Sequence, residues 1–279
     1  MDLYFELILT LIFLLSGGFW LLNKFIVKQE EGLIEFTASL APVLGLVLFL
    51  RSFLIEPFQI PSQSMVPTLK VGDFILVNKW TYGIRLPVLR TKIIPVSLPE
   101  RGDVMVFFPP HEDRYFIKRV VGLPGDTIHV LNGVLFVNGD KMNQQLMPDL
   151  GETPRAMVMT EDLGGIEHLI QKRSSPTRLS QNYSSVVPAG HYFMLGDNRD
   201  NSQDARMWGF VPFNHVVGKP VFIWFSIDGI NDGFKNWKIR WDRVFTTINL
   251  DGEPKSYRWY FLIGVLIVLI YSEIKKRRK

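Results

Sequence analysis

Residues 60–69 read Ile-Pro-Ser-Gln-Ser-Met-Val-Pro-Thr-Leu, and they follow an apolar run of nearly membrane length by only a few positions. Further along, Lys118 interrupts the run Tyr-Phe-Ile-Lys-Arg-Val-Val-Gly at 115–122, whose composition is otherwise that of an apolar β-strand. A serine just outside a membrane and a lysine within an apolar strand together predict a hydrolase that uses a serine–lysine pair at the bilayer surface.

The composition predicts one folded domain with membrane segments near its ends. The chain has 279 residues, 47% of them hydrophobic, and the longest apolar runs lie towards the two termini. The net charge is +4, but residues 275–279 (Lys-Lys-Arg-Arg-Lys) alone carry +5, so the remainder is close to neutral. A terminal basic cluster does not indicate a nucleic-acid partner. The absence of cysteine excludes thiol catalysis, disulfides and zinc–thiolate sites.

Three apolar runs predict membrane-spanning helices, at residues 1–25, 35–55 and 256–274. The first has the length that a span of about 20 residues requires, and Asp2 and Glu6 disfavour the alternative of a cleaved signal peptide. The second contains Pro42 and Arg51, which a spanning helix tolerates. The third has a short apolar core between aromatic residues, so an interfacial helix is its alternative.

Basic residues beside these runs predict the orientation of the chain. Lys24 and Lys28 lie between the first two runs, and the basic tail at 275–279 follows the third. These positions predict that the loop at 26–34 and the tail are both cytoplasmic. The segment between them, residues 56–255, is then expected on the outer side of the membrane.

The exported segment is predicted to be mainly β-structure. Short runs rich in β-branched and aromatic residues cover 71–77, 102–108, 116–121, 191–195 and 221–225. A hairpin is predicted around Asn132-Gly133, since this pair supplies the positive φ angles of a tight turn. Residues 140–186 are polar and weakly periodic, and we interpret them as an insertion or small subdomain.

A serine hydroxyl is a weak nucleophile and needs a base. Histidine is the usual base, and the five candidates are His111, His129, His168, His191 and His215. None has a carboxylate partner in a recognisable motif, so a Ser-His-Asp triad stays open without being indicated. Lys118 could act instead if burial among apolar neighbours lowers its pKa. The alternative is a solvated Lys118 on the outer face of its strand.

Residues 196–209 form a polar, turn-rich stretch that reads Gly-Asp-Asn-Arg-Asp-Asn-Ser-Gln-Asp-Ala-Arg-Met-Trp-Gly. Its many Asp, Asn and Arg residues suit a hydrogen-bonded network that orients another group. It lacks the spacing of a calcium loop and contains arginine, so no metal site is expected.

Together these stretches resemble bacterial type I signal peptidase, the leader peptidase family with a Ser-Lys dyad. The resemblance lies in five blocks that follow the family's order: 58–69, 72–77, 101–107, 116–126 and 196–209. It does not extend to residues 140–186 or to the C-terminal apolar run. It implies a mainly β fold of coiled antiparallel sheets, of the signal-peptidase and LexA-like type, here with two N-terminal transmembrane helices and one C-terminal one.

The resemblance also implies a role for each matching residue. Ser64 matches the nucleophile and Lys118 the general base, while the Ser62 hydroxyl and the Ser64 backbone N–H match the oxyanion hole. The residues that orient or support the lysine are Ser202, Asp204 and Arg206. The segments that line the substrate pockets contribute Phe58, Ile60, Pro61, Met65, Leu69, Phe116 and Ile117. No cofactor and no metal are implied.

The implied activity is that of a signal peptidase I, a membrane-bound serine endopeptidase. Such an enzyme removes signal peptides from exported preproteins through an acyl-enzyme, cutting after small residues at the −1 and −3 positions. The implied partners are preprotein signal peptides, membrane phospholipid and the protein-export translocon. The implied location is the bacterial inner membrane, with a multi-pass chain and a periplasmic catalytic domain.

Three positions depart from the family's commonest pattern. Gln63 stands where glycine is usual, Ala205 where serine is common, and Phe116 where tyrosine is frequent. Gln63 matters most, because its Cβ restricts a turn that glycine would leave unrestricted.

Three other functions fit part of the sequence. They are a self-cleaving Ser-Lys repressor relative, an inactive membrane-anchored protein that binds signal peptides, and a tethered β-domain with a structural role. The membrane runs disfavour the repressor, and the intact pair of Ser64 and Lys118 disfavours the inactive binding protein. A structural role predicts that replacing Ser64 or Lys118 with alanine leaves function unchanged.

Overall fold

The structure is a computed structural model, and it describes residues 2–27, 32–86, 91–112, 114–147, 156–175, 177–230, 237–248 and 255–277. The chain divides into two compact units. The first contains Met1–Glu56 and Asn78–Leu98, and the second contains Pro57–Val77 and Pro99–Lys279. Much of the loop predicted at 26–34 and the end of the basic tail lie outside the described residues.

The helices are α1 (Asp2–Leu22), α2 (Leu33–Ser39), α3 (Ala41–Phe49), α4 (Ala205–Trp208) and α5 (Arg258–Arg277), with π-helical turns at Asn23–Val27 and Leu50–Leu54. Two stretches, Leu7–Ile26 and Glu35–Leu54, are long and apolar enough to cross a membrane. Many of their large apolar side chains are exposed. A helix with apolar residues all round suits a lipid environment, in agreement with the first two predicted spans.

The second apolar stretch is interrupted where α2 meets α3. Proline has no N–H to give to the preceding turn, and it suits the start of a helix. Pro42 accordingly lies in the first turn of α3. Just before α3 begins, the Leu40 N–H donates to the Thr37 carbonyl, three residues earlier in the chain (3.3 Å). Helices α1 and α3 pack closely at Gly45 of α3, where an added Cβ would lie 2.9 Å from a ring carbon of Phe13 in α1.

The strands, in chain order, are β1 (Ile55–Gln59), β2 (Asp73–Asn78), β3 (Ile84–Arg85), β4 (Lys92–Ile94), β5 (Val104–Phe107), β6 (Phe116–Gly122), β7 (Thr127–Leu131), β8 (Val134–Val137), β9 (Asp140–Lys141), β10 (Gln144–Leu146), β11 (Ala156–Asp162), β12 (Glu167–Arg173), β13 (Tyr183–Val186), β14 (His191–Leu195), β15 (Val211–Pro212), β16 (Val216–Asp228), β17 (Lys238–Ile239) and β18 (Thr246–Thr247). All five β-rich runs predicted between residues 56 and 255 contain strands.

The largest sheet has the order β1-β2-β16-β5-β6-β14-β15, with β17 and β18 paired to β16. Burial differs between its core strands. In β2, buried and half-buried residues alternate, as in a strand with one face on the core, whereas all four residues of β5 are buried. One apolar cluster gathers Ile75, Val104 and Ile223, and a second gathers Ile128, Leu135 and Phe193. The sheet thereby holds its central strands, β5 and β6, rigidly in the core of the second unit.

The predicted hairpin is formed by β7 and β8. Asn132 and Gly133 have φ angles of 51° and 74°, as a tight hairpin turn requires. The register pairs Val130 with Leu135.

The segment 140–186 forms one sheet of its own and also contributes two strands to the sheet of the β7–β8 hairpin. Strands β10, β11 and β12 form a three-stranded antiparallel sheet, whereas β9 pairs with β8 and β13 pairs with β7. Residues 148–155 and 176 of this segment lie outside the described part of the chain. The predicted insertion is therefore joined to the domain at both ends by strand pairing.

The C-terminal helix α5 covers 20 residues, but its described apolar part, Arg258–Val268, is shorter than the two N-terminal spans. It leaves the domain beside β18, where the Tyr257 N–H donates to the Phe245 carbonyl (2.7 Å). Phe245 also stacks on Phe261 with 4.1 Å between ring centroids. The predicted fold class is confirmed, with a C-terminal helix that is shorter than the other two.

Candidate active site

The candidate nucleophile lies on the short loop that joins β1 to β2. The loop is closed at its base by two backbone bonds, from Ile60 to Asp73 (2.8 Å) and from Gly72 to Ile60 (3.0 Å). The side chains of Ile60, Met65 and Leu69 are buried in the core and fix the loop from below. Ser64 is thus half-buried on a loop that its apolar neighbours hold in place.

Lys118 lies in the middle of β6, with Met105 of β5 as its neighbour in the ladder. Its side chain is only 3% exposed, so the alternative of a solvated lysine is wrong. Its Nζ lies 2.7 Å from Ser64 Oγ and also donates to the Ile117 carbonyl (2.9 Å). The fold therefore joins two residues that are 54 positions apart in sequence.

The environment of Lys118 favours its neutral form. Burial lowers the pKa of Lys118 to about 8, and the negative charges of Asp204 and Asp197 oppose this shift without cancelling it. A lysine with a pKa near 8 has an appreciable neutral fraction around neutral pH, and a neutral amine can accept a proton from a serine hydroxyl. The pair has the geometry of a nucleophile and its base, and the lowered pKa makes the neutral amine accessible near pH 8.

Ser62 lies on the exposed side of the same loop. Its Oγ is 3.3 Å from Ser64 Oγ, so the two hydroxyls lie next to each other. A second hydroxyl at this distance could donate to an oxygen that develops charge during attack by Ser64.

Ser202 is 3% exposed and lies close to Gly196, since a Cβ added to Gly196 would be 2.1 Å from Ser202 Oγ. Within the described part of the chain its hydroxyl has no hydrogen-bond partner. The structure therefore places Ser202 in the loop behind Ser64 without a bond from its hydroxyl to Lys118.

Asp204 and Arg206 close the 196–209 loop on itself. Asp204 accepts from the Gly196 N–H (3.1 Å) and from two nitrogens of Arg206 (2.7 and 2.8 Å). Arg206 also donates to the carbonyls of Arg199 (2.6 Å) and Leu179 (2.8 Å). This is the supporting network that the composition of the loop predicts.

Asp197 and Arg119 form a buried ion pair that the sequence analysis did not select. Both side chains are 1% exposed, and two bonds of 2.8 Å join them in the bidentate geometry that arginine and carboxylate favour. Thr68 donates to the same carboxylate (2.5 Å). The pair therefore ties together β6, the serine loop and the 196–209 loop. The available signal was an arginine next to Lys118 on the opposite face of the strand.

Asn198 fastens the 196–209 loop to the serine loop. Its side chain donates to the Gln63 carbonyl (3.0 Å), and its backbone N–H donates to the Ser64 carbonyl (3.1 Å). Gln63 is exposed, and it is not among the described non-glycine residues with positive φ, so its Cβ does not strain the turn. The concern over the missing glycine does not apply to this loop.

The segment 140–186 contacts the same loop through a buried pair, Glu161 and Arg199. Two Arg199 nitrogens donate to the two Glu161 oxygens. Burial opposes ionisation of Glu161, but the adjacent guanidinium outweighs it and lowers the Glu161 pKa. Gln171 adds two backbone bonds, donating to the Asp197 carbonyl and accepting from the Arg199 N–H. The inserted strands therefore help to fix the loop behind Ser64.

The histidines lie elsewhere. His168 packs 3.6 Å from Glu161, and burial with the charge of Arg119 lowers its pKa to about 4, so it is neutral. His191 and His215 each approach a backbone carbonyl, at 2.9 and 3.0 Å. Among the described residues, the side chains within hydrogen-bonding distance of Ser64 Oγ are those of Lys118 and Ser62.

The residues predicted to line substrate pockets differ in accessibility. Ile60, Met65 and Leu69 are buried, with Leu69 fully enclosed, whereas the remaining four are half-buried or exposed: Phe58, Pro61, Phe116 and Ile117. The second group can present surface beside Ser64 and Lys118, and the first group supports the loop from within.

Replacing Gly196 with alanine is expected to lower kcat/KM about 100-fold, the size of effect that a misplacement of about 1 Å can have. The new Cβ would lie 2.1 Å from Ser202 Oγ and 2.5 Å from the Ser64 carbonyl oxygen, so the backbone of the nucleophile must move. The measurement is steady-state cleavage of a preprotein with an Ala-x-Ala site, the substrate that the family resemblance implies. Gly18→Ala is the matched control, since no atom lies within 4 Å of its added Cβ. Unchanged kcat/KM in G196A would show that the loop absorbs the methyl group elsewhere.

Known proteins are similar to the chain over more than two thirds of its length. The family model described as Signal peptidase, peptidase S26, matches residues 33–225. The chain is 51% identical over 215 residues to signal peptidase I of Pseudomonas aeruginosa, covering 71% of this chain and 75% of that protein. It is 34% identical over 249 residues to signal peptidase I of Buchnera aphidicola subsp. Schizaphis graminum, covering 75% and 80%.

A solved structure, a signal peptidase I from Enterococcus faecalis V583, is also similar to part of the chain. It is 25% identical, covers 44% of this chain and 97% of its own, and superposes with a TM-score of 0.32.

Proposed function

Since the chain belongs to the signal peptidase family, peptidase S26, and is thus a membrane-anchored serine endopeptidase that removes signal peptides, we propose that Ser64 and Lys118 are its catalytic dyad. The observation that carries this proposal is the 2.7 Å approach of the buried Lys118 Nζ to Ser64 Oγ. A neutral amine at that distance is positioned to act as the base for the serine.

In the first chemical step, neutral Lys118 accepts the proton of Ser64 Oγ while Oγ bonds to the carbonyl carbon of the −1 residue. The carbonyl π electrons move onto its oxygen, which the Ser62 hydroxyl and the Ser64 N–H stabilise. One such donor typically contributes about 10²–10³ in rate. The proximity of Ser62 Oγ to Ser64 Oγ, 3.3 Å, supports this assignment.

In the second step, the Lys118 ammonium gives its proton to the leaving amine and the C–N bond breaks. The mature protein departs and the signal peptide stays esterified to Ser64. Lys118, neutral again, accepts a proton from water, whose oxygen bonds to the ester carbonyl carbon. The ester C–O bond then breaks, Lys118 returns the proton to Ser64 Oγ, and the signal peptide leaves with a new terminal carboxyl group, which ionises in solvent. Every proton passes through one lysine, and no cofactor takes part.

The role of Ser202, Asp204 and Arg206 in this scheme is to keep the amine in place. The Asp204 charge raises the pKa of Lys118 and so limits the drop that burial causes. We also assign Ser202 to the orientation of the amine, because its buried side chain lies beside Gly196, next to the Ser64 carbonyl, and its hydroxyl makes no hydrogen bond within the described part of the chain. Arg206 holds Asp204 through two hydrogen bonds and thereby fixes the charge.

We propose that substrate recognition selects small residues at the −1 and −3 positions. Half-buried Phe58, Phe116 and Ile117, with exposed Pro61, supply an apolar surface on the strands and the loop that carry the dyad. Buried Ile60, Met65 and Leu69 form the base of this surface. A preprotein with an Ala-x-Ala site should be cut after the last alanine, and phenylalanine at −1 should prevent cleavage.

The pH dependence tests the dyad directly. We expect kcat/KM to rise with pH and to level off above about 8, because Lys118 must be neutral to act and its pKa is about 8. Below this pKa the ammonium form predominates, and the rate falls about tenfold per pH unit. The measurement is cleavage of an Ala-x-Ala preprotein by the full-length protein in lipid or detergent. A rise centred near pH ~6.5 would instead assign the base to histidine.

The membrane topology is a further proposal. We place residues 1–25 and 35–55 across the inner membrane, 56–255 in the periplasm and 256–274 in a third span, with 26–34 and 275–279 in the cytoplasm. The chain then meets phospholipid and the translocon at its outer surface. A tag at the C-terminus is expected to resist external protease in intact spheroplasts, while a tag in the periplasmic segment is digested. Digestion of both tags would place α5 on the outer surface.

A further inference from the structure

The peptide unit between Gln63 and Ser64 carries one of the two donors of the proposed oxyanion hole. The unit is trans and therefore planar, with the Gln63 carbonyl and the Ser64 N–H pointing in opposite directions. Within the described part of the chain the Ser64 N–H donates to no group, so it is available to a substrate oxygen. Because the unit is rigid, whatever holds the Gln63 carbonyl also aims the Ser64 N–H.

Two donors hold the Gln63 carbonyl. One is the Val66 N–H of the same turn (3.2 Å), and the other is the Nδ2 of Asn198 (3.0 Å), which comes from the 196–209 loop. The Asn198 backbone N–H also donates to the Ser64 carbonyl (3.1 Å), so Asn198 bonds the carbonyls on both sides of the nucleophile. Asn198 is buried, so water does not compete for these bonds. A donor on a carbonyl polarises its peptide unit and makes the N–H of that unit a stronger donor.

Asn198 is itself held by strands of the segment 140–186. It forms a parallel bridge with Gln171 of β12, and its two neighbours in the chain exchange backbone bonds with Gln171, at 2.8 and 2.9 Å. The side chain of the following residue, Arg199, is paired with buried Glu161 of β11. The backbone is thus fixed on both sides of Asn198, and the amide has little freedom to turn away from the serine loop.

We propose that Asn198 is a positioning residue of the oxyanion hole, which orients and polarises the Gln63–Ser64 peptide so that the Ser64 N–H meets the substrate oxygen as charge develops on it. Strands β11 and β12 hold Asn198 in place, so the inserted segment contributes to the rate through this residue. Asn198 acts through the backbone of the nucleophile and takes no part in proton transfer. The inference rests on the oxyanion hole of the proposed function, and it is independent of the membrane topology.

Replacing Asn198 with alanine removes the side-chain donor and keeps the backbone N–H. We expect kcat to fall about tenfold, which is part of the 10²–10³ that a whole oxyanion donor contributes. KM should stay within about twofold, because the substrate oxygen gains its charge only in the transition state. The pH profile of kcat/KM should keep its midpoint, since the charges of Asp204 and Asp197 that act on Lys118 are unchanged. Cleavage of an Ala-x-Ala preprotein by the full-length protein in detergent measures all three quantities.

Two further variants accompany N198A. Asn198→Leu fills the space with a branched side chain that cannot donate, and the same fall in kcat is expected if the donor matters rather than the packing. Asn182→Ala is the matched control, because Asn182 is exposed and accepts one long bond of 3.4 Å from the Asn132 N–H. This control should keep full activity. Thermal unfolding of each variant establishes that the fold is retained.

A second measurement reports on the peptide unit without relying on activity. The pair Gln-Ser occurs once in the chain, at 63–64. Glutamine labelled with a carbon isotope at its carbonyl, together with nitrogen-labelled serine, therefore selects this peptide alone in a nuclear magnetic resonance spectrum. A hydrogen bond to the carbonyl increases the double-bond character of the C–N bond. We expect the Ser64 nitrogen signal to move upfield in N198A and N198L and to stay in place in N182A.

Several outcomes would overturn the proposal. Full kcat in either folded Asn198 variant would show that the donor is not needed. A large rise in KM would assign Asn198 to the general order of the loop, and a shifted pH midpoint would place its effect on Lys118. An unmoved Ser64 nitrogen signal would show that Asn198 does not polarise this peptide. Failure of the proposed dyad is a separate result, because S64A or K118M would then retain activity while the nitrogen signal still responds to Asn198.

Discussion

Ser64→Ala protein is expected to cleave preproteins about 10⁴- to 10⁶-fold more slowly than the unmodified chain, the loss typical of removing a serine nucleophile. Lys118→Met is expected to lower the cleavage rate by the same factor. Methionine fills the buried space of the lysine side chain but offers no amine to accept the serine proton. The double variant should be no slower than either single variant, since two residues that act as one unit have non-additive effects. Product formation over long incubations measures all three.

The control for this prediction is Lys238→Met, the same substitution at an exposed lysine of β17, which should keep full activity. Thermal unfolding of each variant establishes that the fold is retained. We expect K118M to unfold at the same or a higher temperature, because its side chain no longer carries a charge that burial disfavours. If K118M retains activity within tenfold of the unmodified chain, another group is the base.

Asp197→Asn protein is expected to lose about 3–5 kcal/mol in its free energy of unfolding, the usual effect of removing one partner of a buried ion pair. Arg119 is 1% exposed and cannot give up its proton, so its charge would stay buried with no carboxylate opposite. The cleavage rate should fall as well. Arg119 is the residue after Lys118 in β6, and Asp197 precedes Asn198, which bonds the Gln63 and Ser64 carbonyls. Denaturant unfolding of the full-length protein in detergent measures the change.

An exposed ion pair gives the matched comparison. Glu112 and Arg114 form a pair whose side chains are 37% and 71% exposed, and Glu112→Gln is expected to leave stability unchanged. Equal stability of D197N and E112Q would mean that the Arg119–Asp197 pair adds nothing beyond its counterpart on the surface, contrary to our interpretation of the site.

Much of the architecture could be predicted because its signals are local. Apolar length marks the first two membrane stretches, Asn132-Gly133 marks the β7–β8 turn, and β-rich runs mark the strands of the large sheet. Each of these signals depends on residues within one element. The weak periodicity of 140–186 gave no such signal. Its two end strands, β9 and β13, pair with strands outside the segment, which residues within one element do not reveal.

Part of the chemistry of the site could also be predicted, because the serine and lysine motifs are each local in the sequence. The motifs around Ser64 and Lys118 carry the family resemblance, and the structure brings the two side chains together at 2.7 Å. The buried network behind them was not predicted: Asp197 with Arg119 and Glu161 with Arg199 join residues 78 and 38 positions apart.

The amino-acid sequence by itself determined which segments are apolar, where the chain turns, and which serine and lysine are available for catalysis. Only the tertiary structure decided that Lys118 is buried rather than solvated. A strand alternates its side chains between two faces, and its sequence does not say which face the rest of the protein will cover. That covering, by the serine loop and the 196–209 loop, excludes water from the amine and lowers its pKa to about 8.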